Sequence, residues 1–258
     1  MSLLETTGLT RSYGPLTAVD GIDLHVMAGT RHAVIGPNGA GKSTLFGLVA
    51  GAVPRSAGRI VFDGTDVGAE PEHRRARRGI VRTFQHSRLL LGHTVCENVL
   101  VAVHRCAGVG GRALPLPRRR RAELAELAMS CLSRVGLAAR HAEPAGRLSH
   151  GERRQLEIAV ALAGRPRLLL LDEPAAGMSA AETRRLADLV RSLPSEVTVL
   201  LVEHNLDLVF ELADTVSVLH LGRLVRTGSP DEVRADEAVR AAYLGNADEG
   251  ELWEAAHA

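Results

Sequence analysis

Residues Gly36 to Ser43 read GPNGAGKS and fit the pattern GxxxxGK[ST]. The run follows an apolar stretch, RHAVI, and precedes STLFGLVAG, which is the strand, glycine-rich loop and helix order that gives such a match weight. Glycines let the backbone wrap with its N–H groups turned inward, and the N-terminus of the following helix adds a positive field. The candidate phosphate-binding set is therefore Gly36, Pro37, Asn38, Gly39, Ala40, Gly41, Lys42, Ser43 and Thr44. Lys42 reaches the β- and γ-phosphates and Ser43 is able to ligate magnesium. A plain glycine-rich turn is the competing reading, and the flanking elements speak against it. One count adds to this: Lys42 is the sole lysine, so 30 of the 31 Lys and Arg residues are arginine. A compact ammonium stands where a planar guanidinium differs most in geometry.

The chain has 258 residues, room for one large domain or one domain with a substantial insertion. Its 45% hydrophobic and 24% charged residues predict a packed core rather than a disordered chain. A net charge of +1 lacks the global basic excess of a nucleic-acid binder, so no nucleic-acid partner is expected and any anion site must be local. The start, MSLLETTGLT, has no basic region before an apolar run. The longest uncharged stretch, Ser43 to Pro54, is 12 residues, against the ~18 of a spanning helix. These features predict a soluble, cytosolic chain. Cys96, Cys106 and Cys131 are odd in number and show no CxxC spacing, which predicts reduced structural thiols.

Short apolar runs at Leu3–Thr6, Asp23–Val26, Arg31–Ile35, Ile60–Phe62, Gly79–Thr83, Leu168–Leu171, Val197–Val202, Thr215–Leu219 and Leu224–Thr227 read as strands. Helical periodicity runs through 42–50, 94–104, 119–135, 150–163, 180–192 and 205–213. The expected arrangement is an α/β core from 1–86 and 165–230, a helical subdomain at 87–164 and a helical tail at 231–258. Arginines crowd 74–88 and 118–121, and such runs read first as solvated surface. Arg118 to Arg121 open a helix whose positive N-terminus does not favour them, so proximity to anionic headgroups is a second reading.

Two further segments carry chemistry. Leu168 to Leu171 is a buried strand ending in Asp172 and Glu173. Downstream of a phosphate loop, Asp172 is placed to hold magnesium through its water shell and Glu173 to polarise an attacking water. Consecutive strand residues point to opposite sides, so the pair should not share one role. Leu148-Ser149-His150-Gly151-Glu152 opens a helix, and Ser149 with Glu152 forms an S-x-x-E capping box. That helix N-terminus reads either as a simple cap or as a phosphate site filled from another subunit.

The order Tyr13, GPNGAGKST, Gln85, LSHGE, LLLLDEP, AGMS and His204 resembles the nucleotide-binding subunits of ATP-binding cassette (ABC) transporters over nearly the whole chain. The fold implied is a P-loop NTPase core of ABC type with an antiparallel β region and an inserted helical subdomain. By this resemblance Tyr13 stacks on adenine, Gln85 touches magnesium and senses a transmembrane partner, and Ala176 to Ser179 connect two ATP sites. His204 contacts the γ-phosphate, Glu173 and Lys42 serve catalysis, and Ser43, Gln85 and Asp172 serve the metal. Ser149, His150, Gly151 and Glu152 bind ATP in trans, so the implied cofactors are ATP and Mg2+.

The family's commonest signature is LSGGQ. Here His150 replaces its first glycine and Glu152 its glutamine. A carboxylate at 152 is expected to weaken the trans anion site unless it bonds ribose hydroxyls. GIVRTFQHSRLLLGHTVCENVLVAVH, RRQLEIAVALA, DEPAAGMSAAET and the terminal AAYLG are similar to the ATPase subunits of branched-chain amino acid importers. Importers of urea and short amides share much of this pattern, and a soluble ABC ATPase or a phosphate-loop kinase or GTPase are more distant alternatives. The partners implied are a second ABC ATPase subunit, identical or related, two transmembrane permease subunits and an extracytoplasmic solute-binding protein. They would hold the chain peripherally at the inner face of the cell membrane.

Overall fold

Ser2–Tyr13 (β1) and Leu16–Met27 (β2) pair antiparallel around a turn at Gly14 and Pro15 in the computed structural model, which describes residues 1–83, 89–109 and 117–244. Both strands are far longer than the apolar runs inside them suggest. Register shifts at Thr6/Leu9 and Leu9/Arg11 break the two-residue alternation on which the sequence signal rests. After Arg31–Ile35 (β3) and Lys42–Ala50 (α1), Ala57–Phe62 (β4) returns to β1 and pairs in turn with Thr65–Asp66 (β5). The first sheet thus has the order β2-β1-β4-β5.

The second sheet is built from β3, Ile80–Arg82 (β6), Leu168–Asp172 (β7), Thr198–Val202 (β8), Thr215–His220 (β9) and Arg223–Gly228 (β10), in the order β10-β9-β3-β8-β7-β6. Every pairing in it is parallel except β10 on β9. Because the five parallel strands are covered on both faces, they read as apolar runs. The period of two sorts them: Leu168 and Leu170 share a core with α1 and the antiparallel sheet, while Leu169 and Leu171 pack on the opposite side. That second core also holds Val99, Leu124 and Leu156 of the helices Val95–Cys106 (α3), Arg118–Arg134 (α4) and His150–Ala163 (α5), all inserted between β6 and β7. Ala180–Arg191 (α6) and Leu206–Leu212 (α7) fill its remaining side, and Pro230–Arg234 (α8) and Glu237–Leu244 (α9) follow β10. The α/β fold with an antiparallel region and an inserted helical part is as expected.

Arg74, Arg77 and Arg78 of the arginine-rich stretch are exposed, as a solvated surface would have them, but Arg75 is not. Glu72–Arg78 forms a short helix (α2), and Arg75 on it is buried. Its guanidinium donates to the carbonyls of Val49 (2.8 Å), Leu48, Glu70 and Gly68. These bonds satisfy carbonyls at the C-terminus of α1 and put a cation at its negative end. Arg75 thereby anchors the helix that carries the phosphate loop.

Candidate functional site

The parallel strands β3, β7 and β8 end side by side, so the loops that leave their carboxyl ends share one crevice, the usual ligand position in open α/β sheets. Gly36, with φ of 145°, leaves β3 so close to the next strand that a Cβ there would lie 2.0 Å from the Leu219 carbonyl oxygen. At Gly41, φ is 101° and a Cβ would meet the Ala18 carbonyl oxygen at 2.3 Å. Only glycine fits either position. The loop is braced from outside, since Gly222 N–H donates to the Ala40 carbonyl (3.1 Å) and Asp20 N–H to the Gly222 carbonyl (2.8 Å). Lys42 is buried, and its ammonium donates to the carbonyls of Gly36 and Pro37 (2.9 Å for the latter). Ser43 is exposed at the first turn of α1.

Glu173 follows β7 with φ of 44°, a left-handed conformation rare for a side chain of its size. This backbone turn separates the two carboxylates. Asp172 is buried and pairs with Arg82 of the edge strand β6, while its own carbonyl accepts from Arg154 (2.6 Å). Glu173 instead faces His204, whose Nε2 lies 2.9 Å from its Oε1. Asn38 to Thr44, Glu173 and His204 line one open cleft of about 180 Å3. The carboxylate of Glu203, at the end of β8, is buried and accepts from the N–H groups of Ala175 (2.6 Å) and His204 (3.0 Å). Burial pushes its pKa up. It ties the turn after β7 to the turn after β8, and so holds Glu173 and His204 in register.

A second, smaller pocket lies at the N-terminus of α5, lined by residues that include Ser149, Gly151, Glu152, Gln155, Met178 and Glu182. Ser149 and Glu152 form the reciprocal capping box. Gly151 N–H donates to Glu182 Oε1 (3.3 Å), and the His150 ring is 3.2 Å from the Ala176 carbonyl. The start of α5 is thus attached to the segment Ala176 to Ser179 that leads into α6.

Over residues 19–176 the sequence matches the pattern of the ABC transporter family, and residues 227–249 match that of the branched-chain amino acid ATP-binding cassette transporter. The chain belongs to the ABC transporter family. This cassette is 42% identical to the high-affinity branched-chain amino acid transport ATP-binding protein BraF of Pseudomonas aeruginosa, over 95% of this chain and 98% of BraF. It is 38% identical to LivG of Escherichia coli, which carries the same description, over the same shares. Among solved structures, the ADP conformation of MJ1267, an ATP-binding cassette of an ABC transporter, aligns with a TM-score of 0.84 and 29% identity over 95% of this chain and all of that one. A nucleotide-free cassette aligns with a TM-score of 0.79 and 28% identity over 98% and 99%.

Within the cassette the phosphate loop, Glu173 and His204 come together, whereas Tyr13 and the Ser149 helix do not line the same cleft. Tyr13 is half exposed at the end of β1, and the Arg11 guanidinium lies 4.3 Å from its ring centroid. Gln85 lies outside the described residues. Ser43 offers an exposed hydroxyl in the cleft, while the Asp172 carboxylate is buried against Arg82 and does not line it; hydroxyl and carboxylate are oxygens of the kind magnesium takes from a protein. Sequence reasoning missed Arg82, Arg140, Arg154 and Glu203. Glu203 had a usable signal, because it ends the apolar run of β8 as Asp172 ends that of β7.

Proposed function

We propose that the chain is the ATP-hydrolysing subunit of an importer of branched-chain amino acids. Two cassettes stack head to tail, each holding ATP between its own phosphate loop and the partner's Ser149 helix. The observation that carries the reading is the Glu173–His204 pair at the rim of the Lys42 cleft. Lys42 and the loop amides bind the β- and γ-phosphates and gain strength as charge develops on the transferring group. Glu173 orients the water whose oxygen attacks phosphorus, while the bond to ADP breaks. His204 keeps the Glu173 carboxylate aimed and donates to the γ-phosphate. Ser43 and Asp172, the latter through water, would hold magnesium, which neutralises phosphate charge.

Tyr13 packs on the adenine, and Gln85 reports the state of the site to a permease. Binding closes the dimer and hydrolysis reopens it, which drives alternating access in two permeases fed by a solute-binding protein. No described helix is long and apolar enough to cross a membrane, so the permeases supply attachment to the inner face of the membrane. Glu173→Gln tests the reading: it binds ATP, loses at least ~100-fold in turnover, the scale of a lost positioned acid–base group, and elutes as an ATP-dependent dimer. Near wild-type turnover would remove Glu173 from this role. Reconstitution with the permeases and measurement of leucine-stimulated hydrolysis tests the importer itself.

A further inference from the structure

Glu152 sits three residues into the helix that receives the partner's nucleotide, and it brings a negative charge where the commonest signature has a neutral amide. Its two carboxylate oxygens have separate tasks. Oε2 accepts from the Ser149 N–H (2.8 Å) and closes the cap, while Oε1 is taken by Arg140, at the end of the short 3-10 helix Ala138–Arg140. The other edge of the same guanidinium holds Glu143, with Nε at 3.0 Å and Nη2 at 2.6 Å. Arg147 adds a weaker attraction on Glu143. Arg140 holds Glu152 below the usual carboxylate range. Glu152 is therefore ionised at neutral pH, and protonation does not relieve its charge.

We propose that Arg140 is a positioning residue for the nucleotide presented by the second cassette: by engaging Glu152 Oε1 it cancels the charge that would repel the triphosphate and fixes the Ser149 cap in its receptive form. The proposal rests on the head-to-tail reading of the previous subsection. It also explains why a glutamate is compatible with the signature of this chain. Ser149 and Gly151 contribute a hydroxyl and a close backbone approach, Glu152 secures the helix end, and Arg140 makes the arrangement electrically tolerable. An anion site at a helix N-terminus needs such compensation, because a carboxylate in the first turn competes with any incoming phosphate for the same positive field.

The test uses the full chain carrying Glu173→Gln, in which ATP-driven self-association is read by sedimentation as a function of ATP concentration. Adding Arg140→Ala is expected to raise the ATP concentration needed for half-association about tenfold, the scale of one uncompensated unit charge near a protein surface. Adding Glu152→Gln to that variant should restore association, and raising salt should shrink the Arg140→Ala defect by screening. Glu143→Gln, which removes a negative charge beside Arg140, should not raise that concentration. An Arg140→Ala variant that associates like its parent overturns the proposal. So does a defect that Glu152→Gln fails to rescue, since Arg140 would then act only on local structure. If the Glu173→Gln parent stays monomeric at saturating ATP, the self-complementary sandwich fails and this proposal with it; a parent that associates isolates any failure to Arg140.

Discussion

Arg82, on the edge strand of the parallel sheet, forms an ion pair with the carboxylate of Asp172 two strand-ends away from the phosphate loop, and both side chains are largely withdrawn from water. The carboxylate expected to serve magnesium is thus neutralised by a protein cation. A buried pair of this kind is costly to halve, because removal of one partner strands the other charge.

Arg82→Ala is therefore expected to lower unfolding free energy by about 3 kcal/mol in the absence of ligand. Magnesium with ATP should recover part of that loss, since a ligand that binds only the folded state stabilises it, and here a cation would stand in for the guanidinium. Thermal unfolding of wild type and variant, with and without magnesium and ATP, measures both effects. A variant that is destabilised equally in the two conditions would show that Asp172 has no part in metal binding.

Lys42→Arg is expected to abolish tight nucleotide binding even though arginine serves as the cation everywhere else in the chain. The Lys42 ammonium is buried against the Gly36 and Pro37 carbonyls, in a loop whose backbone Leu219 and Ala18 already crowd. A planar guanidinium is larger and cannot rotate its donors about a single point. The expected loss is at least tenfold in ATP affinity, or ~1.4 kcal/mol. Wild-type affinity in a fluorescent-nucleotide titration would mean that the lone lysine has no special role.

Groups that lie next to each other along the chain were the legible part of the site. The phosphate loop with its strand and helix, the Asp172–Glu173 pair and the Ser149 cap each announce themselves within a few residues, and the parallel strands show as apolar runs because both their faces are covered. What escaped depends on contacts across long stretches of sequence. Arg75 looks like any member of a charged run, yet it reaches the end of α1 26 and 27 residues earlier. Arg82 and Arg140 acquire meaning only once Asp172 and Glu152 are beside them. The full length of β1 and β2 was hidden for a different reason, since bulges shift the alternation that a strand signal needs.

Stability in acid should depend on a histidine outside the cleft. His32, on the strand that leads into the phosphate loop, is buried, and its Nε2 lies 2.8 Å from Ser217 Oγ, which in turn lies 2.8 Å from Thr227 Oγ1. Burial lowers its pKa from 6.5 to about 4, so the folded state keeps it neutral where the unfolded chain takes up a proton. The sign follows from proton binding: stability is unaffected by His32 above pH ~6.5, falls as pH drops towards 4 and then levels, by about 3 kcal/mol in all. His32→Asn removes the titration while keeping a polar side chain for Ser217. Urea unfolding at pH 7 and pH 5 should therefore show wild type losing more stability than the variant between the two values. Equal losses would show that other groups govern the acid limb, and that the strand beneath the phosphate loop is not its sensitive point.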